Sequence, residues 1–392
     1  MPNTIPFFKT TITSTEKVLV QDYLQSTDSA SSKKYIELCV AWFKSNYKLE
    51  EFYLTKSCTH ALELAALVAD IQPGDEVIMP SYAFVSCANA FVLRGAVCVF
   101  IDIRPNGMMM DETKIEAAIT PKTKAILTLN YAGVAQDYSV ITAMAKKYNL
   151  LVIEDNAHGL LAKQNGRLLG SFGDISTFSF DHLKNITCGQ GGGIAVNNLA
   201  LLERFYLAYE FGTNRRSFFN HQANRYEWKA IGSNFPLSEL NASMLYAQLL
   251  EGENINAAFV RGWDQYFSAL KPLQQKGLIE LPIVSNTDEH SGHCFYIKVK
   301  DKETRKALID YLTEKDIIAQ FHYVPLHSSE FGQKVGRFSE DDDFTTKESA
   351  RLVRLPLFHS ITAQEIDLVV QEINSFYQLV LSILQALADS RW

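Results

Sequence analysis

The sequence predicts an α/β protein: a largely parallel sheet covered by helices on both faces, followed by a smaller α/β unit. Three observations predict it. Short β-rich apolar runs alternate with longer helical patterns through roughly the first 250 residues, polar residues gather where those runs end, and the texture changes after about residue 250. Strand, helix, strand in that order implies right-handed crossovers and a sheet buried on both sides. Ligands of such sheets collect beyond the carboxyl ends of the strands.

The strands are read in order at VIMPSYAF (77 to 84), VCVFIDI (97 to 103), AILTLNYAG (125 to 133), LLVIEDNA (150 to 157) and TFSFD (177 to 181). Each is a short apolar run rich in β-branched or aromatic residues. Helical patterns separate them at HALELAALVAD (60 to 70), SCANAFVLRG (86 to 95), DETKIEAAI (111 to 119) and YSVITAMAKKYN (138 to 149). The polar residues at the strand ends are Ser81 to Phe84, Asn130 to Gly133 and Asp155 to His158. A long helix (248 to 275), the run CFYIKVK (294 to 300), a helix over 302 to 316 and the short segment IAQFHYVPL (318 to 326) form the second unit. The chain therefore divides into residues 1–247 and 248–392, with the N-terminal segment expected to pack on the smaller unit.

Composition narrows the function classes. Thirty-seven basic against 44 acidic residues give a net charge of -7, the wrong sign for a protein held to nucleic acid by phosphate contacts. The six cysteines show neither metal-ligand spacing nor the density of a disulfide scaffold, so no metal is expected. The start MPNTIPFFKTT is no signal peptide, and FYQLVLSILQALADSRW is broken by polar residues into an amphipathic packing helix, not a membrane span. A cytoplasmic setting is expected.

The chemistry centres on FSFDHLKNITCGQGGG. Lys184 follows a strand and precedes a glycine run, which places its amine in a tight turn beside the sheet. Buried there, the amine would have a lowered pKa and would act as a Schiff-base nucleophile and proton shuttle. The alternative is a glycine-rich hairpin with an exposed lysine. EDNAH (154 to 158) closes another strand. Asp155 at that point is a helix cap, a metal ligand, or the partner that keeps a pyridine nitrogen protonated, the main electronic lever a protein has on pyridoxal phosphate. His158 would contact the ring's substituent oxygen, or be a hydrogen-bonded, partly buried histidine. Ser57 and Thr59 precede or open a helix whose first amides form an anion site; each is also an ordinary capping residue. Ser179 would add a hydroxyl to the same phosphate. Phe84 would stack on a flat ring at the mouth of the sheet, or belong to the core.

Taken together these elements resemble the sugar aminotransferases of the DegT/DnrJ/EryC1/StrS family. The resemblance is colinear over nearly the whole chain, through PGDEVIMPSYAFVSCANAFVLRGA, YAGVAQD, EDNAH, SFDHLKNITCGQGGG, FGTNRR, IGSNFPLSELNASMLYAQL, FHYVPLH and TTKESARLVRLPLF. It implies the aspartate-aminotransferase fold (fold type I), a large domain with a mostly parallel seven-stranded sheet and a smaller C-terminal α/β domain. The last four segments are most similar to the branch that makes dTDP-4-amino-4,6-dideoxygalactose from L-glutamate and a dTDP-linked keto sugar, for bacterial surface polysaccharide. By the same resemblance Lys184 carries pyridoxal 5'-phosphate, Asp155 pairs with its ring nitrogen, His158 stands near the ring hydroxyl and Phe84 stacks on the ring. Ser57, Cys58, Thr59 and Ser179 hold the phosphate, and Asn234 reaches it from a neighbouring copy, which implies a homodimer. Arg215, Arg216 and His322 fall on the nucleotide-sugar side.

Three positions depart from the family pattern: Cys58 replaces a glycine, Asp181 an aromatic or histidine, and Asn156 a small residue. Three rival readings go with the resemblance. The amination would be of a 3-keto sugar, or the protein a sugar dehydratase of the same family, or a non-catalytic cofactor-binding regulator. Lys184 counts against the dehydratase, which has histidine there.

Overall fold

The structure, a computed structural model, describes residues 4–26 and 33–389. Ten strands of three residues or more are labelled in chain order: β1 Phe52–Thr55, β2 Glu76–Pro80, β3 Val97–Ile101, β4 Thr123–Leu129, β5 Leu151–Asp155, β6 Ile175–Ser179, β7 Gly192–Val196, β8 Phe295–Lys298, β9 Gly336–Phe338 and β10 Leu352–Leu355. Eight of them build one sheet in the order β1, β7, β6, β5, β4, β2, β3, β9. The parallel pairings from β6 to β9 and the two antiparallel pairings of β7 leave β7 alone running against the rest.

Seven of those strands come from the first 247 residues. The eighth was not read from the sequence: β9, from the C-terminal part, adds in parallel to the β3 edge. Three residues are too short to show a period of two. The predicted strand runs also stop early. β2 ends at Pro80 and β4 at Leu129, and the polar residues after them form turns. Turns are what a site at the strand ends requires, because their side chains are not committed to the sheet faces.

The helix Cys58–Val68 begins at Ser57, whose hydroxyl accepts from the His60 amide at 3.1 Å. It buries Ala61, Leu62, Leu64, Ala65, Ala66 and Val68, and ends where Asp70 turns to positive φ. Val85–Val92 and Tyr138–Tyr148 are the next crossover helices. The expected helix over 111–119 is a 3-10 turn, Glu112–Lys114, and one short helix, Ile115–Ala118. The expected long helix from 248 is two helices, Glu239–Leu250 and Gly252–Gln275, that meet at Glu251. A division after residue 247 therefore falls inside a helix. β8 and β10 pair antiparallel beside the helices Lys302–Glu314 and Ala363–Asp389. The last three residues of the expected C-terminal helix lie outside the described residues.

The two halves are joined through side chains. One apolar cluster contains Phe43, Phe52 and Phe178 together with Phe259, Phe295, Leu355 and Ile373. The Ile5 amide donates to the Asp316 carbonyl at 2.9 Å, so the N-terminal segment runs along the C-terminal unit. No helix among the described residues is long and apolar enough to cross a membrane.

Candidate active site

The strands β4, β5 and β6 end side by side, and the site lies beyond those ends. Asp155 is the last residue of β5 and is buried. One carboxylate oxygen accepts from the Ala157 amide at 2.9 Å and the other from the Cys87 thiol at 3.1 Å. No ion pair holds it among the described residues. Burial pushes its pKa up, opposed by those two donors and by the charge of Lys184. Such a carboxylate is poised for a cationic partner, since a buried charge without one is costly.

Lys184 lies in the turn after β6, with its amide donating to the Asp181 carbonyl at 2.9 Å. The residue is partly covered and its amine lies deep, where burial lowers its pKa against the opposing charges of Asp155 and Asp181. The exposed-hairpin alternative is excluded by this depth. Its Nζ makes no hydrogen bond or ion pair among the described residues. The next residue, Asn185, fixes the turn: its Nδ2 donates to the Ser291 carbonyl at 2.9 Å and its Oδ1 lies 3.0 Å from His293 Nδ1. The lysine turn is thus anchored to the C-terminal unit.

His158 is buried, and its Nδ1 accepts from the Ala132 amide at 3.3 Å. Its ring stacks on His293 with centroids 4.1 Å apart. Burial, then the nearby Lys184, holds its pKa well below the usual histidine range, so both rings are neutral near neutrality. The backbone here is tightly packed. Gly133 has φ 78°, and a Cβ on it would collide with Ser291 Oγ and the His158 carbonyl.

The anion end is formed by the start of the helix Cys58–Val68. The Ser57 hydroxyl caps it and lies 2.9 Å from His60 Nδ1, and Thr59 Oγ1 bonds Ser86 Oγ at 2.8 Å. Cys58 Sγ lies 3.7 Å from Thr177 Oγ1 and 4.0 Å from Asp155. Ser179 ends β6, buried, and together with Ala157, His158, Lys184, Asn185 and His293 it lines a small pocket. Gly192 of β7 passes so close that a Cβ would lie 2.5 Å from the Cys58 amide nitrogen.

The remaining expected residues divide. Phe84 is 54% exposed at the start of the helix Val85–Val92, beside Tyr323, so the core alternative fails. His322 is near the site: its ring stacks on Tyr323 at 4.0 Å, its Nδ1 is 3.4 Å from Tyr131 Oη, and it accepts from Arg354. Burial and the Arg354 charge push its pKa down to about 2. Arg216 instead stacks on Tyr206 at 3.7 Å and Arg215 on Phe219 at 5.2 Å, so within this chain neither is brought to Lys184. Asn234 is exposed, in a segment bridged to Glu210, and the following residues run beside Thr55 and Lys56.

Two departures have plain structural roles. Asn156 is buried, accepting from Asn130 at 3.0 Å and donating to the Leu169 carbonyl at 2.8 Å. Asp181 accepts from the Leu183 amide at 3.1 Å, which closes the lysine turn. Sequence reasoning missed Cys87, His293 and Arg354, and noted Tyr131 only as part of the strand-end stretch Asn130 to Gly133. Only Arg354 carried a local signal, a charge inside the apolar run LVRLPLF.

The DegT/DnrJ/EryC1/StrS aminotransferase family matches the chain over residues 11–374. The spore coat polysaccharide biosynthesis protein SpsC of Bacillus subtilis (strain 168) is 31% identical over 326 residues, which is 81% of this chain and 83% of SpsC. Among solved structures, NtdA from Bacillus subtilis with bound cofactor PMP is 30% identical, covers 93% of this chain and 82% of its own, and superposes with a TM-score of 0.80. PseC of Helicobacter pylori, an aminotransferase involved in the biosynthesis of pseudoaminic acid, shares the fold with a TM-score of 0.84 at 22% identity, over 96% of this chain and 100% of that one.

Proposed function

The chain belongs to the DegT/DnrJ/EryC1/StrS family of sugar aminotransferases, and from that premise we propose that it moves an amino group from L-glutamate to a nucleotide-linked keto-deoxy sugar. The proposed conversion is dTDP-4-keto-6-deoxy-D-glucose to dTDP-4-amino-4,6-dideoxygalactose, for surface polysaccharide. The cofactor is pyridoxal 5'-phosphate. One observation carries the reading: a deep amine, Lys184, and a buried carboxylate, Asp155, sense each other's charge while making no ion pair among the described residues.

The residues present fit the cofactor. Among the described residues Asp155 lacks the cation that a protonated ring nitrogen would provide, and the helix whose first-turn amides would meet the phosphate opens at Cys58, whose Sγ lies 4.0 Å from Asp155. When bound, the cofactor supplies a sink for charge that develops on the substrate carbon. Asp155 would keep the proton on the ring nitrogen. Lys184 Nζ gives and takes the proton at the reacting carbon, a task suited to an amine whose pKa burial has lowered. Ser57, Cys58, Thr59 and Ser179 would hold the phosphate, His158 would meet the ring oxygen and Phe84 would cover the ring. Asn234 completes the phosphate site of a second copy, which makes the active unit a homodimer. Arg215, Arg216 and His322 serve the nucleotide-sugar end.

The test is incubation of the cofactor-loaded protein with L-glutamate and a panel of 3-keto and 4-keto dTDP, GDP and UDP sugars, with products identified by mass and NMR. The expected product is a dTDP-4-amino sugar. An amine at the third carbon moves the substrate assignment. Failure of every amino acid to bleach the cofactor absorbance would leave a binder without catalysis.

A further inference from the structure

The helix Val85–Val92 opens beside the strand ends, and its first turn touches the site at two adjacent residues. Ser86 Oγ lies 2.8 Å from Thr59 Oγ1, at the start of the helix Cys58–Val68. Cys87 turns its thiol to the Asp155 carboxylate, with Sγ 3.1 Å from Oδ2. The backbone fixes this position, because the Cys87 amide donates to the Phe84 carbonyl at 3.0 Å and closes the turn.

The contact has a definite direction. Cys87 and Asp155 are 1% and 3% exposed. Burial and the Asp155 charge both push the Cys87 pKa well above the ordinary thiol range, so the sulfur keeps its proton and donates it to the carboxylate. Held in this way it is a poor nucleophile. The second thiol nearby, Cys58, stands 4.0 Å from Asp155 and 3.7 Å from Thr177 Oγ1, which leaves Cys87 the closest side-chain donor to Asp155 among the described residues. The other carboxylate oxygen is held by the Ala157 amide at 2.9 Å.

We propose that Cys87 is a positioning residue for Asp155: its S–H holds the carboxylate ionised and turned toward the ring nitrogen of the cofactor. This rests on the aminotransferase reading and adds to it the group that keeps Asp155 ready before the cofactor binds. Burial pushes the carboxyl toward its neutral form, which would offer a ring nitrogen no anion. A hydrogen bond to the ionised form opposes that push. A thiol is a weaker donor than a hydroxyl, so the carboxylate stays ionised and keeps the basicity with which it would hold the ring-nitrogen proton.

The experiment compares wild type, Cys87→Ala, Cys87→Ser and Asp155→Asn, first without cofactor. The Asp155 carboxyl, identified as the NMR signal that Asp155→Asn lacks, should bind its proton about 10-fold more tightly in Cys87→Ala, the low end for a lost hydrogen bond to a charged group. Cys87→Ser keeps a donor and should recover part of that change, whereas a role in packing alone would make the two variants titrate alike and overturn the proposal. The Cys87 S–H infrared band, assigned by its loss in Cys87→Ser, should move to higher frequency in Asp155→Asn and in wild type as Asp155 takes up its proton. A band that stays fixed overturns the proposal even if Cys87→Ala does not fold. With cofactor bound, the isotope-labelled ring nitrogen should move toward its unprotonated NMR shift in Cys87→Ala and part of the way back in Cys87→Ser. The cofactor-free measurements need no turnover: if they come out as expected while no amino acid bleaches the cofactor absorbance of wild type, the contact stands and the aminotransferase reading fails. Normal bleaching with an Asp155 titration unchanged across the Cys87 variants refutes the role of Cys87 alone.

Discussion

His158 and His293 stack with ring centroids 4.1 Å apart and 25° between their planes, one at the carboxyl end of β5 and the other on the C-terminal unit. The Lys184 turn is tied to the same place, because Asn185 bridges to His293. A neutral imidazole pair thus joins the two units beside the proposed active site.

Stability should therefore depend on pH in a definite direction. Both folded-state pKa values lie well below the ordinary 6.5, with burial the largest cause. Above about pH 6.5 neither state binds the proton and these residues add no pH dependence. Below it the unfolded chain takes up protons that the folded one refuses, so stability falls as pH falls, by up to about 1.4 kcal/mol per unit for each histidine. Denaturant midpoints measured from about pH 7 to 5.5 should fall. In His293→Gln the slope should flatten; an unchanged slope would show that these rings titrate normally.

Asp155→Asn preserves the shape of a buried side chain and removes its charge. The Ala157 amide keeps an acceptor. Stability of the cofactor-free protein should stay within about 1 kcal/mol of wild type, while turnover falls on the order of 10²-fold or more, because the ring nitrogen loses its anionic partner. A variant with full turnover would remove Asp155 from the chemistry.

Gly192→Ala should be among the costlier small changes in the protein. The added Cβ would meet the Ser57 carbonyl and the Cys58 amide, backbone atoms that have no rotamer to yield. We expect a loss of about 3 kcal/mol from overpacking, with weaker cofactor retention because the same amide opens the helix Cys58–Val68. Calorimetry and cofactor titration read the two effects separately.

The homodimer reading predicts complementation. Lys184→Ala alone should lose the absorbance of the lysine-bound cofactor and its turnover, and Asn234→Ala alone should retain cofactor poorly. After co-refolding in equal amounts, half the dimers carry one intact site, which returns roughly a quarter of wild-type activity. Mixtures that recover nothing would place Asn234 in the same copy's site or in none.

The site was partly legible from sequence because some of its groups sit at points where local structure changes. Asp155 closes an apolar run and Lys184 lies between a strand and glycines, and both turned up deep at the strand ends. Phe84 was ambiguous because an aromatic after a strand reads as core until its exposure is known. Arg215 and Arg216 entered only through the family resemblance, and in the structure they rest on aromatic rings, contacts no local spacing encodes.

What the sequence by itself determined is the alternation of elements, the parallel arrangement that follows from it, and the short list of residues at strand ends, since each depends on periodicity and on neighbours a few positions apart. Only the tertiary structure decided that β9 adds to the sheet edge, that Cys87 meets Asp155, that His293 covers His158, and that Arg354 is buried with no carboxylate partner among the described residues. Those contacts join residues far apart in the chain. Their partners are chosen by how two packed units meet, and no one-dimensional pattern carries that information.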